Sequence, residues 1–168
     1  KGPDHEWFAS PAARTGCPYC AGQQVSITNS LANQYPEVAA QWHPTKNGDV
    51  SPHDITWGSN KMAWWKCSKG ADHEWQAIIK SRTSRNSGCP FCSNRRVSIT
   101  NCLQTLFPKI AFEWVTDLND ELTASDVLAR SRQSYWWRCP LGHTYKASVA
   151  NRTVKGLHCP VCRDSITL

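Results

Sequence analysis

Cysteine and histidine recur in this chain at spacings that suit a metal ion. Cys67, His73, Cys89 and Cys92 form one set, and Cys139, His143, Cys159 and Cys162 form a second. Each offers three thiols and one imidazole, a composition that closes tetrahedral structural zinc sites. The last two cysteines of each set stand in C-P-x-C, "CPFC" and "CPVC". Proline fixes φ in that tight turn, so two sulfurs point at one place and nearby amides are left to face the thiolates. Two pairs of donors separated by ~20 residues, repeated with the spacing nearly kept, are a strong signature of zinc. A partial set, His5, Cys17 and Cys20, opens the chain. A three-donor set with an open position is also the pattern of catalytic zinc. Truncation is the simpler reading, because by alignment the fourth donor falls two residues before Lys1.

Disulfides are the competing explanation. Nine cysteines is an odd number, and the histidines have no reason to recur in a disulfide framework. Secreted scaffolds of that kind are usually shorter and denser in cysteine, so the thiols point to an intracellular, reducing compartment. Cys102 stands where the other copy has Ser30, and reads as a free, buried or half-buried thiol. His43, His53 and His158 have no repeated counterpart and read as loop or surface residues.

The elements that must position these donors are themselves repeated. "VSITNSLANQYPEVAAQW" (25–42) matches "VSITNCLQTLFPKIAFEW" (97–114) at an offset of 72 residues. Trp64-Trp65 matches Trp136-Trp137 at the same offset, and the C-P-x-C turns of 89–92 and 159–162 lie 70 residues apart. The expected organisation is a truncated module over 1–28, then complete modules over 29–100 and 101–168. The connectors "AGQQVSIT" and "SNRRVSIT" are not Gly/Ser tethers, so neighbouring modules should pack closely. Ser30 and Asn101 can cap short helices that Pro36 and Pro108 bend or divide. Lys46-Asn47-Gly48-Asp49 reads as a turn. Hairpins are expected over 62–66 with 74–79 and over 134–138 with 144–149, flanking the Cys–His turns. The fold class is therefore small α+β, zinc-stabilised modules in tandem, each with a short helical segment and a β-hairpin.

A unit of about seventy residues has a marginal core, so metal and tryptophan must both contribute. Successive strand residues face opposite sides. One Trp of each pair should therefore pack inward on Trp42 or Trp114, and the other should sit near the metal or the surface. Trp7, Trp75 and Tyr145, each two residues after a candidate ligand histidine, are expected in the core. Trp57 has no counterpart and is the best candidate for an exposed aromatic that stacks on a base.

The chain has a formal charge of +6 over 168 residues, modestly basic and compatible with a polyanionic partner. Basic residues cluster near the ligands: Arg82, Arg85, Arg95, Arg96, Arg130, Arg132, Arg138, Arg152 and Lys155. Guanidinium forks onto two phosphate oxygens, which makes these candidate nucleic-acid contacts. No apolar run reaches the roughly eighteen residues of a membrane span. Enzyme motifs are missing: there is no H-E-x-x-H, and the deaminase pairing of H-x-E with P-C-x-x-C does not occur. No carboxylate recurs in a catalytic position, since Glu74 corresponds to Thr144. The expectation is a protein that is not an enzyme and has no small-molecule substrate.

The unit from Ser30 through "GCPFC" resembles the probable zinc-ribbon domain family, tandem zinc fingers of treble-clef type, over nearly the whole chain. The resemblance implies zinc on both complete sets. The family's C-x-x-G-H turn stands intact as "CPLGH", whereas "CSKGADH" is two residues longer. The His5-to-Cys17 interval is four residues shorter than its counterpart, so the hairpin of that module must be trimmed. Some members are joined to nuclease-like domains, which implies nucleic-acid association. The functional expectation is an RNA-binding, rather than DNA-binding, structural component of a ribonucleoprotein such as a ribosome. The alternatives are a protein-interaction scaffold, bound to protein subunits of a large assembly, or the DNA-binding accessory part of a longer nuclease-type protein.

Overall fold

The computed structural model describes residues 2–10 and 16–165. It divides into two compact units, residues 1–89 and 90–168. No helix among the described residues is long and apolar enough to cross a membrane.

In the first unit, α1 (Leu31–Gln34) and α2 (Pro36–Ala39) are single turns joined at Tyr35. Pro36 has no N–H to continue α1, but its fixed φ suits the first position of a new helix. Ser30 caps α1, its hydroxyl accepting from the Asn33 N–H. The chain then meets the hairpin of β1 (Met62–Lys66) and β2 (Glu74–Ile78), paired antiparallel with Trp65 opposite Trp75. The stretch around Trp42 acts as a one-residue third strand: Lys66 N–H donates to the Gln41 carbonyl, and His43 N–H to that of Trp64. The Asn47 side chain extends this edge, accepting from Trp64 N–H at 2.8 Å and donating to the Trp64 carbonyl at 3.0 Å. Helix α3 (Ile79–Thr83) follows β2 directly.

The second unit rebuilds the plan. Helices α4 (Leu103–Leu106) and α5 (Pro108–Ala111) divide at Phe107-Pro108. Strands β3 (Ser134–Arg138) and β4 (Thr144–Ser148) set Trp137 opposite Tyr145. Asn119 holds Trp136 N–H and C=O as Asn47 holds those of Trp64. Helix α6 (Val149–Thr153) follows β4, and α7 (Pro160–Ser165) carries the last C-P-x-C. The cap differs from expectation: Cys102 occupies the N-cap of α4 and its side chain makes no cap bond. Asn101 faces backward instead, donating to the carbonyls of Phe91 and Arg96. Cys102 is a buried free thiol, as expected.

One Trp of each pair is in the core. Trp65 and Trp137 are fully buried and meet Trp42 and Trp114 edge-on, with centroids 5.4 and 5.2 Å apart. Trp64 and Trp136 are half-buried. Around Trp137 the second unit packs Leu103, Ala111, Val127, Tyr145 and Val149. Trp75 and Tyr145 are buried, whereas Trp7 is 38% exposed and lies outside the core.

Candidate metal centres and basic surface

The hairpin turns and the C-P-x-C turns bring the expected donors together. Cys67, His73, Cys89 and Cys92 present ligand atoms all within 4.8 Å of one another, as do Cys139, His143, Cys159 and Cys162, and the trio His5, Cys17 and Cys20. Their separations fit one ion. Tetrahedral zinc with ordinary bond lengths sets sulfurs ~3.8 Å from one another and ~3.6 Å from nitrogen. Nδ1 lies 3.6 Å from both sulfurs in the trio, 3.7 Å from Cys89 Sγ at His73, and 3.5 Å from Cys139 Sγ at His143. Cys139 and Cys162 sulfurs are 3.6 Å apart. All nine cysteines are free of disulfides.

The thiols call for a cation. Burial raises the Cys139 thiol, but N–H groups of His143 and Leu141 and the thiols of Cys162 and Cys159 outweigh it and hold it at about 7. Burial, hydrogen bonds to Cys139 and Cys159, and their charge push Cys162 up to about 12. Sulfurs this close do not all ionise unaided, and a dication on them removes the conflict. The proline turn helps as expected: burial raises the Cys17 thiol, yet the amides of Cys20 and Tyr19 aimed at its sulfur bring it below its ordinary value. The sites accordingly hold Zn²⁺, two with four donors from the chain and one with three.

Glycine explains the echo between "KGPDHEW" and "KGADHEW". A Cβ on Gly70 would stand 2.6 Å from the His73 ring, and one on Gly2 would stand 2.9 Å from Nε2 of His5. Both glycines let the backbone lie against the ligand imidazole. In "CPLGH" the glycine does other work, turning the chain at φ +85° before His143.

Two of the expected nucleic-acid contacts are corrected. Arg82 and Arg152 are each 4% exposed and belong to the core. The Arg82 guanidinium lies 5.0 Å from the Trp65 ring and 5.1 Å from that of Trp75. It donates to the Gln41 side-chain oxygen and to the Ser87 carbonyl. Arg152 lies 5.5 and 5.6 Å from the Trp137 and Tyr145 rings, pairs with Glu113 at 2.6 Å and donates to the Leu157 carbonyl. A planar cation with five donors can stack on aromatic faces while bonding at its edge, which lysine cannot do. The following threonines close the same corner: Thr83 Oγ1 donates to the Trp57 carbonyl and Thr153 Oγ1 to that of Ala129. The dipeptide Arg-Thr recurs in both copies, and that recurrence is the signal by which its structural role could have been found.

Trp57 is likewise corrected. It is half-buried and packs on Tyr35 with ring centroids 5.7 Å apart. His43 is buried, not superficial: its Nδ1 accepts from Thr45 and Lys46 N–H, and Nε2 lies 3.2 Å from Glu74. His53 and His158 are exposed, as expected. Arg85, Arg95, Arg96, Arg130, Arg132, Arg138 and Lys155 are also exposed.

These features define a protein of small α+β modules stapled by zinc, with two complete Cys3His centres and one that draws two cysteines and a histidine from the chain. The chain belongs to the family described as the probable treble clef zinc finger domain, whose model matches residues 38–95 and 110–165. No curated protein matches the chain in sequence.

Proposed function

We propose that this chain is a non-catalytic module that binds a nucleic-acid backbone, RNA in preference to DNA, as a structural part of a ribonucleoprotein such as a ribosome. The observation that carries this reading is the set of seven exposed cations just named. Among the described residues, none of the seven pairs with a carboxylate. Elsewhere two lysines do have a carboxylate partner, since Lys46 and Lys66 both bond Glu74. Free guanidinium groups are suited to phosphate. Every described helix has six residues or fewer, so none resembles the recognition helix that reads a major groove. Contact led by shape and phosphate favours RNA over base-read DNA.

Two observations support a non-catalytic role. Each complete set spends all four donors on one point. Glu74, the carboxylate beside a ligand histidine, is locked by Lys46, Lys66 and His43, which hold it at about 2.

The reading is tested by titrating the zinc-loaded chain with single-stranded RNA across a range of salt. Neutralising about four to six phosphates gives a slope of log K against log[salt] of roughly −3 to −4. Replacing Arg95 and Arg96 by Ala should flatten it by about one to two units and weaken all sequences alike. Affinity indifferent to salt, or no binding at low salt, overturns the reading. The protein-scaffold alternative has its own motive: Phe112 and Leu141, 90% and 74% exposed, are apolar groups in the second unit with no aqueous purpose.

A further inference from the structure

The connector "VSITN" is conserved between the copies more strictly than a spacer needs to be, and its contacts around the first centre say why. We propose that Ser26 and Thr28 are positioning residues of the first metal centre, and that metal bound there orders the start of the helical segment that follows. The inference rests on the zinc centres and is independent of any nucleic-acid role.

His5 has two ring nitrogens with different neighbours. Nδ1 faces the sulfurs of Cys17 and Cys20 and is the metal donor. Nε2 lies 2.8 Å from Thr28 Oγ1 and 3.1 Å from Ser26 Oγ. A metal on Nδ1 leaves the remaining proton on Nε2, where it donates to a hydroxyl oxygen. The hydroxyls are held for this purpose: Ser26 Oγ accepts the Thr28 N–H at 3.2 Å and lies 2.9 Å from Thr28 Oγ1. Asp4 adds a second tie, its Oδ2 accepting the Ile27 N–H at 2.7 Å. A Cβ on Gly2 would stand 2.5 Å from the Thr28 methyl, so the glycine admits the connector to the ring. Such outer partners fix the tautomer and orientation of a ligand histidine.

Four residues of the connector, Ser26 to Asn29, also hold what comes next. Asn29 accepts the Ser26 N–H through Oδ1 and donates through Nδ2 to the carbonyls of Tyr19 and Gln24, so it clamps the connector to the C-P-x-C turn. The Ile27 and Thr28 carbonyls accept from the side chains of Asn33 and Gln34 in α1, at 2.9 Å each. The Asn29 carbonyl accepts the Trp57 N–H. From Ser26 to the start of α1 each residue makes at least one hydrogen bond that fixes it to the first centre, to the C-P-x-C turn or to the helix. The second copy of the motif repeats the internal part: Ser98 N–H donates to Asn101 Oδ1 at 2.7 Å, and Ser98 Oγ lies 2.9 Å from Thr100 Oγ1.

The test uses the zinc-loaded 168-residue chain carrying Ser26→Ala with Thr28→Val, which removes both hydroxyls and nearly keeps the shape. Long-range proton–nitrogen NMR reads the His5 tautomer, and chelator competition followed on the His5 signal reads the first centre alone. The double variant should bind zinc there ~10–100-fold more weakly, while the centre at Cys139 and His143 keeps its affinity. Thr28→Ser, which restores a hydroxyl, should recover most of the loss. Separately, Cys17→Ser disables the first centre, and amide exchange at Ser30–Tyr35 should then speed up relative to exchange at β3 and β4. An unchanged His5 tautomer and zinc affinity in the double variant overturn the positioning role. So does equal weakening of every centre. Amide exchange across α1 that ignores Cys17→Ser overturns the coupling.

Discussion

The two complete modules build the same corner from different charges. Around the centre at Cys67, buried Arg82 bonds a neutral amide, Gln41; around the centre at Cys139, its counterpart Arg152 bonds a carboxylate, Glu113. Burial lowers the pKa of Arg82, and the charges that oppose this are the sulfurs of Cys89 and Cys67. A zinc ion with three thiolates carries a net negative charge, so the metal centre itself supplies a counter-charge for Arg82. In the other module Glu113 also accepts from the Tyr145 hydroxyl, whose pKa burial raises and Arg152 and Glu113 then adjust. The surfaces differ in the opposite sense. Lys46, Lys66 and Glu74 make a charged clamp on β1 and β2 over the buried His43, where the second unit has Leu118, Arg138 and Thr144 over Val115. The fold therefore requires a planar cation between two rings beside the metal, and it tolerates several ways of balancing that cation.

The largest effect should come from removing a ligand from each module in turn. Structural zinc is worth ~10–16 kcal/mol in small zinc-folded peptides, far more than any pair in these cores. Cys89→Ser and Cys159→Ser should each cost one zinc by native mass spectrometry and unfold the module that lost it. Each should also quench the tryptophan signature of that module alone. A chain that keeps its fluorescence after chelation would show that the aromatic core suffices without metal.

Next in size is the arginine. Arg152→Met strands a half-buried carboxylate and should cost ~3–5 kcal/mol in chemical denaturation of the zinc-loaded protein. Arg82→Met leaves only neutral hydrogen-bond partners unbonded, beside a centre whose negative charge is spread over its sulfurs, and should cost ~1–3 kcal/mol. Equal losses would mean that Glu113 contributes no charge effect, and the comparison between the modules would fail on that point. Glu113→Gln sharpens it further, since it gives the second module the hub of the first. A change within about 1 kcal/mol is expected there.

The smallest effect belongs to the clamp. Glu74→Thr, which copies the second module, should lower stability slightly at low salt and not measurably at high salt, because these side chains are partly exposed and screened. A large, salt-independent loss would mark the clamp as part of the core.

What the sequence determined by itself was local or repeated. A C-P-x-C turn aims its sulfurs wherever it occurs, proline divides a helix wherever it falls, and strand alternation sends one of two adjacent tryptophans inward. The repeat then confirmed each donor by a second copy, so the ligand sets and hairpins were legible before any coordinates. Three-dimensional packing decided the rest. Arg82 and Arg152 look like their exposed neighbours in sequence. Only the approach of two rings and of Gln41 or Glu113, 41 and 39 residues away in the chain, makes burial of a guanidinium tolerable. Trp57 reads as exposed because it has no counterpart in the other copy, and only the approach of Tyr35 half-buries it. Ser26 and Thr28 carried no role in the sequence because nothing in a linear string records that a histidine 21 or 23 residues earlier turns its second nitrogen toward them. Charge and polarity are carried by a residue type, but whether they face solvent, a ring or a ligand depends on which distant segments the fold brings together.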